Sequence, residues 1–123
     1  MKPNEEQQSQ PFAIVPTEVM MDTRLTLEAM RVLVTLFSFR NKLTGLAFPS
    51  REAISERCGM HPSNISAATT KLVELGWLAK DGKGGHSKAT KYTITIPEVV
   101  AELAASHRAK SQARKAKKVA EQA

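Results

Sequence analysis

The 123-residue sequence holds a single cysteine, Cys58, so no intramolecular disulfide can staple it. That predicts a reducing compartment. Three histidines, His61, His86 and His107, lie far apart without cysteine or carboxylate companions at ligand spacing. No zinc site is therefore expected. Aromatic residues make up 5% of the chain, too few for a platform on which single-stranded bases stack. No apolar run reaches the roughly 20 residues that span a bilayer. The polar, Gln-containing start from Met1 to Gln10 does not resemble a signal peptide. A cytoplasmic protein with no membrane partner is expected. No Ser–His–acid arrangement can be argued, and Gly82-Lys83-Gly84-Gly85 reads as part of a hairpin rather than a phosphate loop between a strand and a helix. Cys58 reads as a small core residue, not a nucleophile. The expectation is a protein that is not an enzyme and that uses no cofactor and no metal.

What is present is positive charge. Eighteen Lys and Arg residues outnumber twelve Asp and Glu, for a formal net charge of +6. A basic balance favours a polyanionic partner, nucleic acid or an acidic membrane surface, without choosing between them. Apolar residues reach 41%, enough for one small core, and the length suits one compact domain with tails. The chain divides into a polar, disordered tail at 1–10, a domain at 11–97, and an Ala/Lys-rich basic helix or tail at 98–123.

Within the domain the punctuation is clear. Phe12 to Val15 is bracketed by Pro11 and Pro16 and reads as extended, with a single helical turn at Thr17–Met21. Thr26 is an N-cap for a helix from Leu27 to Phe39, whose Leu27, Met30, Leu33, Val34 and Phe37 predict one buried face. Asn41–Ala47 reads as a loop. Ser50 caps a short helix ending near Cys58, with Ala53, Ile54 and Arg57 on its inner side, and Gly59 suits the position after a helix end. Pro62 suits the first position of the next helix. That helix runs to about Leu75 with Ile65, Ala68, Thr69, Leu72 and Leu75 facing inward, and Gly76 stops it. Thr69 reads as a tight packing site or a hydroxyl bonded back to the helix. Trp77-Leu78-Ala79-Lys80 and Thr90–Ile96 read as strands, the second with Tyr92, Ile94 and Ile96 on one face. The basic, glycine-rich stretch between them is longer than the usual hairpin loop of about two to five residues and reads as a wing. From 98 onward the chain favours helix, with Val99, Val100 and Leu103 available to pack on the domain. The fold class that results is mainly α with a small β-hairpin: a winged helix-turn-helix of three core helices plus wing, with an additional C-terminal helix.

The elements and their markers resemble the winged helix-turn-helix domains of plasmid and phage replication-initiation proteins. The residues that carry the resemblance are Gly45-Leu46-Ala47-Phe48-Pro49-Ser50, then Ile54, Gly59, Ile65, Ala68, Leu72, Gly76, Trp77 and Leu78. They cover about residues 24–96. The resemblance implies sequence-specific binding of double-stranded DNA, with the helix after Gly59 reading bases in the major groove, in replication control or in transcriptional regulation.

Ser63, Asn64, Ser66, Ala67 and Thr70 fall on the outward side of that helix and are the candidate base readers. Asparagine can bond adenine bidentately, serine and threonine can bond either kind of base edge, and alanine can touch the thymine methyl. Arg51 and Lys71, with Lys83, His86, Lys88 and Lys91 of the wing, are candidate backbone contacts. Three readings of the C-terminal segment stand together: a solvated helix, phosphate contacts through Arg108, Lys110, Arg114 and Lys115, or pairing with another protomer. Its few aliphatic side chains argue against a sustained coiled-coil seam, and alanine is too small to anchor a membrane-surface helix. A homodimer on half-sites about one helical turn apart is a common arrangement for such modules. Replication or transcription proteins are further candidate partners. With little room for a helicase- or primase-recruiting domain, the length favours an accessory or regulatory role over that of a full initiator. The alternative reading is a winged-helix protein-interaction module without direct DNA readout.

Overall fold

The computed structural model describes residues 12–40, 46–47, 49–81 and 91–122. The expected disordered tail 1–10 lies outside them, and so does the wing tip. In chain order the elements are α1 (Glu18–Met21), α2 (Leu27–Phe39), β1 (Leu46–Ala47), α3 (Arg51–Cys58), α4 (Pro62–Leu75), β2 (Leu78–Asp81), β3 (Lys91–Ile94) and α5 (Glu98–Gln122). The strands form one antiparallel sheet in the order β1-β3-β2. Helices α2, α3 and α4 pack on one another, and the sheet closes one end of that core through β1 and β2.

Caps set the helix starts where the sequence places them. The Thr26 hydroxyl accepts from the Ala29 N–H at 3.1 Å and the Ser50 hydroxyl from the Ala53 N–H at 3.1 Å. Each such cap contributes on the order of 1 kcal/mol. Gly59 and Gly76 follow α3 and α4 with φ of 77° and 89°, a left-handed conformation that favours glycine.

The buried face of α2 differs from the sequence expectation. Ala29, Val32, Leu33, Leu36 and Phe37 are buried, whereas Leu27 is 83% exposed and Met30 and Val34 are only partly covered. Both sets satisfy helical spacing. Packing of α2 against α3, α4 and β1 selects the set containing Ala29, a choice that local spacing does not make. In α3 the inner residues are Ile54 and Cys58; Ala53 is half-buried and Arg57 is exposed. The expected α4 stripe agrees better: Ile65, Ala68, Thr69 and Leu72 are buried and Leu75 is half-buried. The Thr69 hydroxyl donates to the Ser66 carbonyl at 3.0 Å.

The segment read as a loop at 41–47 ends in β1. Leu46 pairs with Thr93, and Ala47 pairs with Tyr92. Two residues carry no readable alternation; their strand character comes from β3. The second strand ends at Ile94, and Ile96 is 40% exposed instead of lying on the Tyr92 face. The C-terminal helix docks by Val100 and Ala104 against α1, leaving Val99 and Leu103 more than half exposed.

One buried polar cluster ties these parts together. Asp22, 4% exposed, follows α1. Its carboxylate accepts from the Trp77 indole N–H at 2.7 Å, from the Arg24 Nε and Nη2 at 2.8 Å each, and from the Arg24 backbone N–H at 3.0 Å. The Arg24 hydrogen bonds are the main cause that holds the Asp22 carboxyl down from the ordinary 3.8 to about 2; desolvation opposes them and the Trp77 bond assists. A depressed carboxylate stabilises the fold above its unfolded pKa, and that stability is lost as pH falls through the folded value. Asp22 thus contributes roughly 2 kcal/mol at neutral pH that disappears between about pH 4 and pH 2. Asp22→Asn should destabilise the protein by about 1–3 kcal/mol in urea titrations at pH 7. The difference from wild type should shrink as the titration is repeated toward pH 2; a constant difference would refute this assignment.

Candidate nucleic-acid interface

Helix α4 turns one side to the core and leaves Ser63, Asn64, Ala67, Thr70 and Lys71 exposed on the other. Among the described residues, neither the strands nor α5 covers this surface. His61 is the N-cap: its Nδ1 accepts from the Ser63 N–H at 3.2 Å and lies 2.8 Å from the Ser63 hydroxyl. Pro62 then occupies the first turn, where its missing N–H costs nothing. No acid stands in that turn to offset the positive end of the helix.

The hydrogen bonds sort the five expected readers. The Ser63 hydroxyl is engaged by His61. Ser66 is half-buried, and its hydroxyl accepts from the Arg51 Nη1 at 2.7 Å. The Thr70 hydroxyl donates back to the Ser66 carbonyl at 3.0 Å and keeps its lone pairs outward. Ala67 presents a methyl. Asn64 alone combines an exposed amide with no side-chain hydrogen bond among the described residues, so both its donor and its acceptor are unspent. It lines a shallow groove with Ala67, Ala68 and Lys71 of α4 and with Thr26 and Glu28 from the start of α2. Glu28 was not expected at this edge. Its role as an acid complementing the start of α2 was legible; its place beside α4 depends on the helix crossing.

Of the expected backbone contacts, Arg51 lies at the start of α3, held by Ser66, and Lys71 lies on the exposed side of α4. Lys91 is exposed at the start of β3, opposite Asp81 in register. Lys83, His86 and Lys88 lie outside the described residues. The basic residues Arg108, Lys110, Arg114 and Lys115 are exposed on α5, away from α4's contacts.

Lys80 is a cation that the sequence pattern did not single out. It pairs with Tyr92, as Leu78 pairs with Ile94, so it lies on the same side of the sheet as those core residues. Its side chain still reaches solvent. Desolvation beside the sheet is the main cause that lowers its pKa, and the neighbouring Arg51 guanidinium adds repulsion. The Arg51 charge thus acts on Lys80 from the start of α3, where Ser66 of α4 holds it. Strand alternation from Leu78 was the signal that could have found Lys80.

The turn between α3 and α4 is fixed from behind. The Arg31 Nε donates to the Cys58 carbonyl at 2.9 Å, and the Ser55 hydroxyl donates to the Met60 carbonyl. This paired-helix geometry, followed by a three-stranded antiparallel sheet and a further helix, is a winged helix-turn-helix. Residues 23–78 match the family model described as a helix-turn-helix domain. Over that span the chain is similar to helix-turn-helix domains. The match takes in α2, β1, α3, α4 and the first residue of β2, and stops before β3 and α5. No curated protein and no solved structure matches the chain. Among the described residues no helix is long and apolar enough to cross a membrane, and no group of three or more His, Cys, Asp or Glu side chains is placed to hold a metal ion.

Gly59 tests the turn directly. A Cβ added there meets nothing within 4 Å, so Gly59→Ala isolates backbone strain from crowding. The substitution should cost about 1–2 kcal/mol of stability by thermal or urea denaturation. No loss would mean that the turn does not need a left-handed residue.

Proposed function

We propose that this protein binds double-stranded DNA with sequence preference, laying α4 in the major groove, and that it acts in replication control or transcriptional regulation of a plasmid, phage or bacterial genome. The observation that carries the reading is the exposed, small and polar side of α4, centred on the unpartnered Asn64 amide. A major groove about 12 Å wide admits a helix, and a side chain with paired donor and acceptor discriminates adenine from the other bases. Thr70 and Ala67 continue the contact along the same face, with apolar groups suited to a thymine methyl. Ser66 serves differently: it holds Arg51, so Arg51 meets the duplex as a fixed cation.

Around this helix the backbone contacts are Arg51, Lys71 and Lys80, together with Lys91 and the wing residues Lys83, His86 and Lys88. Phosphate contacts of this kind set register and strength without carrying sequence. Two copies on half-sites about one helical turn apart would double the contact. The regulatory role rests on the resemblance to replication-initiation domains and on the helix-turn-helix match; the DNA-binding reading rests in addition on the surface itself.

The test begins with selection of bound sequences from a random duplex library, followed by fluorescence anisotropy on the selected and random duplexes. Asn64→Ala should lose about 1–3 kcal/mol of preference for the selected duplex. Lys80→Gln should weaken both duplexes by a similar factor while leaving thermal stability unchanged or slightly raised, because it removes a like-charged neighbour of Arg51. Recovery of no motif, or equal losses on both duplexes for Asn64→Ala, would overturn the readout and favour a protein-docking role for this face.

A further inference from the structure

The positive charge falls in two places. Residues 105–122 carry six of the eighteen Lys and Arg residues and one of the twelve acids. Residues 24–96, the winged domain, hold eleven cations against five acids. The arginines of that domain, however, are engaged internally. Arg24 bonds Asp22, Arg31 bonds the Cys58 carbonyl, and Arg51 bonds Ser66. Arg57 donates to the Ser38 hydroxyl at 3.0 Å and stacks 3.7 Å from the centre of the Phe39 ring, and Arg40 sits over Phe37.

Helix α5 differs in that its cations are not engaged in this way. It is one continuous helix of 25 residues, anchored by Val100 and Ala104. Beyond Ala104 every described residue is exposed except the half-buried Ser111. At about 1.5 Å per residue the free part extends roughly 27 Å. On a helical projection Arg108, Lys110, Arg114, Lys115, Lys117 and Lys118 fall on one half of the circumference, with Ala105, Ala109, Ala113, Ala116 and Ala120 on the other. The cationic half is centred on the line through Val100 and Ala104, so it faces the side on which the body lies. Among the described residues none of the six cations has an ion-pair or hydrogen-bond partner. Lys110, Arg114 and Lys118 stand four apart, a like-charge spacing that destabilises an isolated helix. A polyanion laid along this half would relieve that repulsion.

We infer that α5 is a rail for the phosphate backbone of a nucleic-acid duplex and supplies a large share of this protein's salt-dependent affinity, while the exposed side of α4 supplies discrimination. The inference rests on the duplex-binding reading above. A rail of this length spans about eight base steps at roughly 3.4 Å per step along a strand. An anionic lipid surface fits less well, because the face opposite the cations is alanine, with Val119 at its margin as the one bulky apolar side chain in the free part.

The test compares the full chain with a full-length variant in which the six cations of α5 are changed to glutamine, which has nearly the same helix propensity. Dissociation constants for the selected and random duplexes are measured between about 50 and 200 mM salt, with circular dichroism as a check on helix content. On random duplex the log–log salt slope should fall by roughly 3 or more, at about 0.9 for each phosphate that is no longer neutralised. The ratio of selected to random affinity should stay within about twofold. A slope change below about 1 overturns the rail and leaves the α4 reading standing. A wild-type ratio of one, with the slope falling as expected, overturns the α4 reading and leaves the rail. Charge-dependent binding to vesicles of mixed zwitterionic and anionic phospholipid, with the duplex slope unaltered, would assign the helix to membranes and also overturn the rail.

Discussion

The hydrogen bond from the Trp77 indole to the buried Asp22 carboxylate is the constraint on which the arrangement depends. Trp77 stands between the end of α4 and the start of β2, and it is fully buried. Asp22 stands between α1 and α2. One 2.7 Å contact thus joins the two ends of the helical core across 55 residues of chain. Arg24 supplies the countercharge that makes a buried carboxylate tolerable, and its Nη2 reaches the Leu75 carbonyl at the end of α4. A buried carboxylate without that set of donors would cost several kcal/mol. With it, the direction of α4 relative to α2 is set, and so is the surface α4 leaves outside.

Function follows from which groups the fold has already spent. Serine and threonine hydroxyls on α4 are partly used by the protein itself: Ser63 by its cap, Ser66 by Arg51, Thr70 by the preceding turn. Body arginines brace the turn and the core. What remains is the Asn64 amide beside Ala67 and Lys71, a surface better suited to discriminate than to attract. Among the described residues, six exposed cations not used for bracing lie on the free part of α5, where no packing restrains them. On the proposed reading the two tasks lie on different surfaces, so affinity and preference would vary independently.

Most of the secondary structure was legible because its signals are local. Thr26, Ser50, Pro62, Gly59 and Gly76 each act within one turn of the chain, and the α3–α4 pair follows from them. The outward positions Ser63, Asn64, Ala67 and Thr70 were legible for the same reason, since Ile65, Ala68, Thr69 and Leu72 leave one choice of inner side, whereas Ser66 is half-buried against Arg51. What escaped was non-local. Ala29 rather than Leu27 faces the core because of how α2 packs against its neighbours, and β1 exists only because β3 lies beside it. No local pattern marks Asp22; its importance comes from a partner 55 positions away. Lys80 reads locally only as the end of a strand, although the alternation that places Leu78 also places it.

The central claim is that the exposed side of α4 is the surface that meets a duplex. Backbone amide chemical shifts of the labelled chain, titrated with its selected duplex, test this most directly. The account predicts the largest perturbations at Ser63, Asn64, Ala67, Thr70 and Lys71, with a second, salt-sensitive set along residues 105–122. Perturbations confined to the α2 side of the core around Leu27, Met30 and Val34, with α4 silent, would contradict it.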